Sequence, residues 1–356
     1  NIKCNWAQCY ACAVCDFPFP PLLPPSPPAV PPPLPMHNLL FLAIDDLRPQ
    51  LAHLGTLGDE DLTFMHTPTL DRFVRQDAVS FTNAHVQIAL CSPSRTSVLF
   101  GRRPDTTGVY DLVTSPRSGR CKRCKSLPEK LQHAGYTTVG VGKLWHTQAW
   151  SREAGGWSET FRDDFGDPYW DWRQRAIPHS SGSFAWRAVS ESEERARPLT
   201  DERITSYALA RMTTLAKGLK PWALFVGFHK PHLPFIAPRR HFDRYPLDTI
   251  RLANAPYCPW QLPQDSFSSF ELQEFVDIPP WWQSRGGDLC DGKTYRKGCN
   301  YAPTCNVTIS DQTAKKLRQA YFAAVSFADE LAGRLLTGLQ STNVWNNTVV
   351  LVWGDH

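Results

Sequence analysis

The side chains able to do chemistry in this chain fall at the ends of short apolar runs. Asp45 and Asp46 follow Asn38 to Ile44 (NLLFLAI), and Lys143 and His146 follow Tyr136 to Gly142 (YTTVGVG). His229 and Lys230 follow Trp222 to Phe228 (WALFVGF), and Asp355 and His356 follow Thr348 to Gly354 (TVVLVWG). Two adjacent carboxylates and a third Asp are oxygen donors suited to a hard divalent cation such as Ca2+ or Mg2+. A single imidazole with no thiolate cluster beside it gives little reason to prefer zinc. Taken alone, Asp45-Asp46 reads equally well as a helix cap or a solvated turn. Four apolar runs, each followed at once by polar groups, make that bland reading harder to sustain.

A different chemistry is suggested by Cys91, in the run Cys91-Ser92-Pro93-Ser94-Arg95, just ahead of a helix-like stretch from Ser94 to Phe100. Backbone N–H groups at a helix N-terminus favour an anion. A phosphatase that uses the thiol itself wants a longer, glycine-containing loop between Cys and Arg, and none is present here.

The elements that must hold these groups alternate between apolar runs and helix-like segments. That texture signals α/β architecture with a largely parallel, buried sheet. Ser126-Leu127-Pro128-Glu129 predicts a capping box and a helix ending near Gly135. Leu317, Tyr321, Ala324, Ala328, Leu331 and Leu335 recur at the spacing of one buried helical face before the last strand. Ligands of parallel α/β sheets bind outside the carboxyl ends of the strands, so the four polar pairs are expected to meet at one edge. Periodicity is lost from Trp150 to Pro198 and from Tyr257 to Thr308, which reads as two long surface excursions shaping a pocket.

Residues 1 to 35 stand apart. Cys4, Cys9, Cys12 and Cys15 precede a proline-rich stretch from Pro18 to Pro35, which reads as a disordered tail or linker. The cysteine cluster is too compressed for paired zinc knuckles. Residues 36 to 356 then read as the domain that carries the polar groups described above, and so as the expected catalytic domain if those groups act together. A net charge of +4 over 356 residues falls short of a nucleic-acid binder, and no apolar run is long enough to span a bilayer. Eleven cysteines and the sequons at Asn306 and Asn346 point to a secretory compartment, although the first stretch lacks the features of a signal peptide. An odd number of cysteines leaves one unpaired, and Cys91 is the candidate. Cys121-Lys122-Arg123-Cys124 reads as a disulfide, a metal clip or two free thiols; the basic stretch Arg117 to Lys125 reads as a solvated face.

Cys91-Ser92-Pro93-Ser94-Arg95 resembles the C-x-P-S-R signature of the type I sulfatases, whose cysteine is oxidised after synthesis to formylglycine. Gly101 to Thr107, Val141 to His146 and Phe228 to Phe235 resemble the iduronate-2-sulfatase branch of that family more than the arylsulfatases. The resemblance runs from Asn38 to His356. It implies an alkaline-phosphatase-like α/β sandwich, a large mostly parallel sheet flanked by helices, with the family's C-terminal subdomain missing beyond His356. It also implies one Ca2+ ion held by Asp45, Asp46, Asp355 and His356, with the modified Cys91 touching the metal.

The hydrate of such an aldehyde has two hydroxyls: one attacks sulfur, and the other later expels sulfate and restores the aldehyde. In the roles the resemblance implies, Arg95 holds the hydrate and Lys143 neutralises sulfate charge. His146 assists sulfate expulsion, and His229 protonates the leaving alcohol or binds a sulfate oxygen. His232 reads as structural, in a proline-flanked turn. The implied substrate is a 2-O-sulfate on uronic acid residues of glycosaminoglycans, in a lysosomal or secreted setting, with a formylglycine-generating enzyme as maturation partner. The alternatives are another sulfate ester, a phosphonate or phosphodiester, or an inactive glycan-binding relative with an unmodified thiol.

Overall fold

The apolar runs become strands because β-branched and aromatic residues fit a pleated surface, and three of the four runs are covered on both faces. The computed structural model describes residues 36–57, 60–118, 121–153, 155–163, 165, 185–254 and 310–356. The Cys/Pro-rich segment 1–35 and the second excursion lie outside the described residues. The main elements are β1 (Asn38–Ile44), α1 (Pro68–Gln76), α2 (Cys91–Phe100), α3 (Leu127–His133), β2 (Thr137–Gly142) and β3 (Trp186–Val189). They continue with α4 (Thr200–Leu215), β4 (Trp222–Phe228), β5 (Phe235–Pro238), α5 (Asp311–Gln340) and β6 (Thr348–Gly354).

Strands β2, β4, β1 and β6 form one sheet in that order, all parallel. Ile44 pairs with both Phe228 and Gly354, and Gly142 pairs with Gly227, so the strands finish level along one edge. One face buries Leu40, Leu42, Val139, Leu224 and Phe228 against Ile204, Ala208 and Met212 of α4 and Phe327, Leu331 and Leu335 of α5. The other buries Phe41 and Phe225 against Leu99 and Phe100 of α2, with Leu127 and Leu131 of α3 packed beside them. Burial on both sides explains why β1, β2 and β4 read as continuous apolar runs rather than alternating ones, whereas β6 leaves Val349 53% and Leu351 43% exposed.

The capping box forms as expected: Glu129 N–H donates to Ser126 Oγ at 3.3 Å, and Ser126 N–H donates to Glu129 Oε2 at 2.6 Å. The first excursion is less irregular than its sequence suggests. It contains β3 and a short helix, Glu191–Ala196, capped by Ser190 and Glu193. Strand β3 is four residues long and pairs only with β5, which is too short a run for periodicity to show.

Helix α1 has no side-chain cap of its own at Thr67. Asp329 of α5 takes that role from a distance, accepting hydrogen bonds from the N–H groups of Thr69 (3.0 Å) and Leu70 (2.8 Å). Burial drives the Asp329 carboxyl up to about 6 despite those donors. A folded value above the ordinary 3.8 means that folding favours the protonated acid, so this stabilisation is full below 3.8 and lost as pH rises through about 6. Asp329→Asn is expected to flatten the change in thermal midpoint between those two pH values. Melting curves across that window measure it, and an unchanged slope would refute the assignment.

Candidate active site

The level strand ends bring neighbouring backbones close as the chain leaves the sheet. A Cβ at Gly227 would overlap the Lys143 carbonyl, one at Gly142 would overlap Gly227 O, and one at Gly354 would overlap Leu47 O. Glycine is required at these positions by contact, and it lets the next residues crowd into one space. Asp45 and Asp355 are completely buried there. Asp46 adopts φ 55°, a left-handed conformation that Asp tolerates better than most residues. Its N–H donates to Asp355 Oδ1 at 2.8 Å, while its carbonyl accepts from the Tyr321 hydroxyl of α5 at 2.9 Å.

Helix α2 starts at Cys91 itself, about one turn earlier than its sequence suggests, with Leu90 extended before it. Pro93 costs nothing in this first turn, where an N–H would lack a helical partner anyway. The helix ends at Gly101, whose φ of 59° makes it a left-handed C-cap.

One turn into α2, the fully buried Arg95 spans the site. Its Nη2 donates to Asp45 Oδ1 at 2.8 Å and its Nε to Asp355 Oδ2 at 2.8 Å. Its Nη1 donates to the carbonyls of Lys143 (2.6 Å) and Leu144 (3.2 Å). Lys143 Nζ pairs with Asp45 Oδ2 and lies 4.0 Å from Cys91 Sγ. Cys91 Sγ is 3.2 Å from His356 Nε2 and 3.7 Å from Asp45 Oδ1. Ser94 Oγ donates to the Asp355 carbonyl, fixing the end of β6 to α2.

Burial alone would raise Asp45, but Lys143 and Arg95 outweigh it and hold the carboxyl well below the usual range. Asp355 moves the other way, raised by burial and the neighbouring Asp45 charge more than Arg95 lowers it. Burial, then the Asp45 charge, push the Cys91 thiol far up, so the sulfur is a neutral thiol rather than a nucleophilic thiolate. His146 falls to about 4 through burial and the Lys143 charge. Burial opposes protonation of His356, yet the carboxylates of Asp46 and Asp355 prevail and raise it.

Asp45, Asp46, Cys91 and His232 place ligand atoms within 4.8 Å of one another, and so do Asp46, Cys91, Asp355 and His356. Asp46 Oδ1 is buried without an aligned hydrogen bond, although His356 Nε2 approaches it to 2.9 Å. Carboxylate oxygens of Asp45, Asp46 and Asp355 thus gather around Cys91 and the His356 imidazole. This donor set fits a hard divalent cation.

Seven of the residues singled out from the sequence therefore converge: Asp45, Asp46, Cys91, Arg95, Lys143, Asp355 and His356. His146 stands beside them, its ring 5.9 Å from Trp150 and its Nδ1 without a hydrogen-bond partner among the described residues. His229 is buried, with Nδ1 3.1 Å from Asp201 Oδ1; burial lowers its pKa although Asp201 opposes the shift. His232, read as structural, joins the acid cluster with Nε2 4.0 Å from Asp46 Oδ2. Asp201 of α4 was not visible as a site residue, because it precedes His229 by 28 positions and their contact forms only when the helix packs on the sheet. Its carboxylate accepts from the N–H groups of His229 and Lys230, which fixes the start of this loop.

The sheet and its edge-bound site define the alkaline-phosphatase-like class of α/β fold. The phosphonate monoester hydrolase of Silicibacter pomeroyi shares it, with a TM-score of 0.58 at 20% identity over 90% of this chain and 62% of that one. The family model described as Sulfatase matches residues 37–356, and the chain belongs to the sulfatase family. It is 31% identical to human iduronate 2-sulfatase, the match covering 90% of this chain and 54% of that protein. It is 30% identical to a sulfatase of Formosa agariphila, covering 90% and 58%. The chain thus spans a little over half the length of these relatives.

Two substitutions test the geometry without reference to activity. Arg95→Ala leaves two buried carboxylates without their shared partner and is expected to cost about 3–5 kcal/mol, read from urea denaturation. Gly227→Ala forces the Lys143 backbone aside and is expected to cost about 1–3 kcal/mol by the same assay. Wild-type stability in either variant would contradict the contacts described.

Proposed function

We propose that this chain carries the catalytic centre of a sulfate-ester hydrolase that uses a formylglycine made from Cys91 and a Ca2+ ion. The observation that supports it most is the meeting of Cys91 with three carboxylates, Arg95 and Lys143 in one buried space. Asp45, Asp46, Asp355 and His356 would hold the cation, with residue 91 also in reach. The cation would withdraw charge from sulfate oxygens and lower the pKa of a hydroxyl on residue 91. The aldehyde hydrate supplies one hydroxyl to attack sulfur and a second to release sulfate.

The chain's own groups do the rest. Arg95 fixes Asp45 and Asp355 relative to the N-terminal turn of α2, so the reacting atom is held before substrate arrives. Lys143, with Nζ 4.0 Å from Sγ, presents a cation to the sulfate oxygens. His146, neutral near pH 7 because its pKa is about 4, accepts a proton when sulfate is expelled. The loop carrying His229 and His232 gives a proton to the departing alcohol. Asp201 sets the ring orientation of His229 through Nδ1.

The proposed substrate is the 2-O-sulfate of uronic acid residues in glycosaminoglycans, with a formylglycine-generating enzyme preparing residue 91. The proposed setting is lysosomal or extracellular. Its support is the disulfide between Cys121 and Cys124, the exposed Asn346 of a glycosylation sequon, and the relatives named above. Among the described residues no helix is long and apolar enough to cross a membrane.

Sulfate release should fall to background in Cys91→Ala and on removal of divalent cations by a chelator, measured by ion chromatography. The peptide carrying residue 91 should have the mass of the aldehyde. Persisting turnover in Cys91→Ala would overturn the reading, and faster cleavage of a phosphonate ester than of a sulfate ester would reassign the substrate class. Comparing His229→Ala with His232→Ala separates their roles: the proton donor is the one whose loss lowers kcat most for poor leaving groups.

A further inference from the structure

A cleft of about 610 Å3 opens where the start of α1 meets α4 and α5, and it shares His66 and Arg244 with an adjoining cavity of about 810 Å3. None of its lining residues belongs to the site described above. Arg72, Arg244 and Arg334 line the first cavity. Among the described residues the guanidinium groups of Arg72 and Arg244 make no hydrogen bond or ion pair, whereas Arg334 reaches Ser206 Oγ at 3.4 Å. The carboxylates in the same wall are already engaged. Asp329 accepts from the N–H groups of Thr69 and Leu70, and Glu330 lies against Arg240 and His241. His241, only 1% exposed, also lines this space, and its Nδ1 is without a hydrogen-bond partner among the described residues.

The second cavity adds a different surface. Phe64, 40% exposed, and Tyr245 line it with their ring centroids 6.5 Å apart. Guanidinium forks match the paired oxygens of sulfate and carboxylate groups. Aromatic faces beside them offer an apolar bed for a sugar ring, and each cavity has the size of a small-molecule site.

We propose that this double cleft binds a sulfated, carboxylate-bearing saccharide chain, gripping oxyanions with Arg72 and Arg244 and seating a ring against Phe64. The inference rests on the sulfated-glycan reading of the substrate and adds a second contact for the same kind of polymer. Such a contact raises the local concentration of chain ends near the enzyme without taking part in the chemistry.

The test uses the whole chain carrying Cys91→Ala and a fluorescent sulfated glycosaminoglycan oligosaccharide, with its desulfated counterpart as control. Adding Arg72→Glu and Arg244→Glu together should weaken the Kd by at least about tenfold, the loss expected for two charge-assisted contacts turned repulsive. The desulfated chain should bind no better than that variant. In the background with Cys91 intact, the same double substitution should leave turnover of a small aryl sulfate unchanged and raise KM for the oligosaccharide. An unchanged Kd, or equal binding of the desulfated chain, overturns the proposal. Absence of aryl sulfate turnover in the unsubstituted protein sinks the sulfatase reading instead, and the Kd comparison still decides the cleft.

Discussion

The buried guanidinium of Arg95 is the constraint on which the rest of the site depends. It joins Asp45, which follows the first strand, to Asp355, which follows the last, and it also takes the carbonyls after a third strand. A carboxylate pair at this depth would repel and shed a charge unless a cation lay between them. The result is an asymmetric pair, one member held firmly ionised and the other pushed toward its acid. A divalent ion would change that balance, because its charge favours the ionised form of every ligand around it. Lys143 and His356 complete a shell in which each charge is defined by its neighbours.

The fold serves that shell by ending its strands level and covering both faces of the sheet. Helices α4 and α5 seal one side while α2 and α3 seal the other, and α2 delivers Cys91 and Arg95 from the same helical face. Tyr321 of α5 touches the backbone of both Asp46 and Arg48, so the long helix also braces the loop that carries the acids. Packing on one side of the sheet is thereby coupled to polar geometry at its edge.

Much of this was legible in the sequence, for physical reasons that differ by element. Strands β1 and β4 were bounded correctly because burial on both faces makes them uniformly apolar, and β6, which leaves Val349 and Leu351 exposed, because its run is β-branched and aromatic; in all three, polar residues follow abruptly. The Ser126–Glu129 box fixed the start of α3 because the motif carries its own hydrogen bonds. Helix α4 was not read at all: threonine, serine and arginine are spread along it, and its buried stripe of Ile204, Ala208, Met212 and Leu215 emerges only against the sheet. Within the site, residues adjacent to strand ends and those of the Cys91–Arg95 run were found, and Asp201, reached only through space, was not. His232 lay in view but was assigned to its turn, and Asp201 carries no local mark of its contact with His229.

Cys91 has 4% of its surface exposed, enclosed by Asp45, Lys143 and His356. A second enzyme needs several extended residues on either side of a side chain in order to act on it, and a docked helix offers none. Any alteration of this sulfur by another protein is therefore a matter of timing: it belongs to the interval before α2 settles against the sheet, and folding closes that interval for good. A chain in which that interval passes unused keeps an inaccessible thiol at its centre.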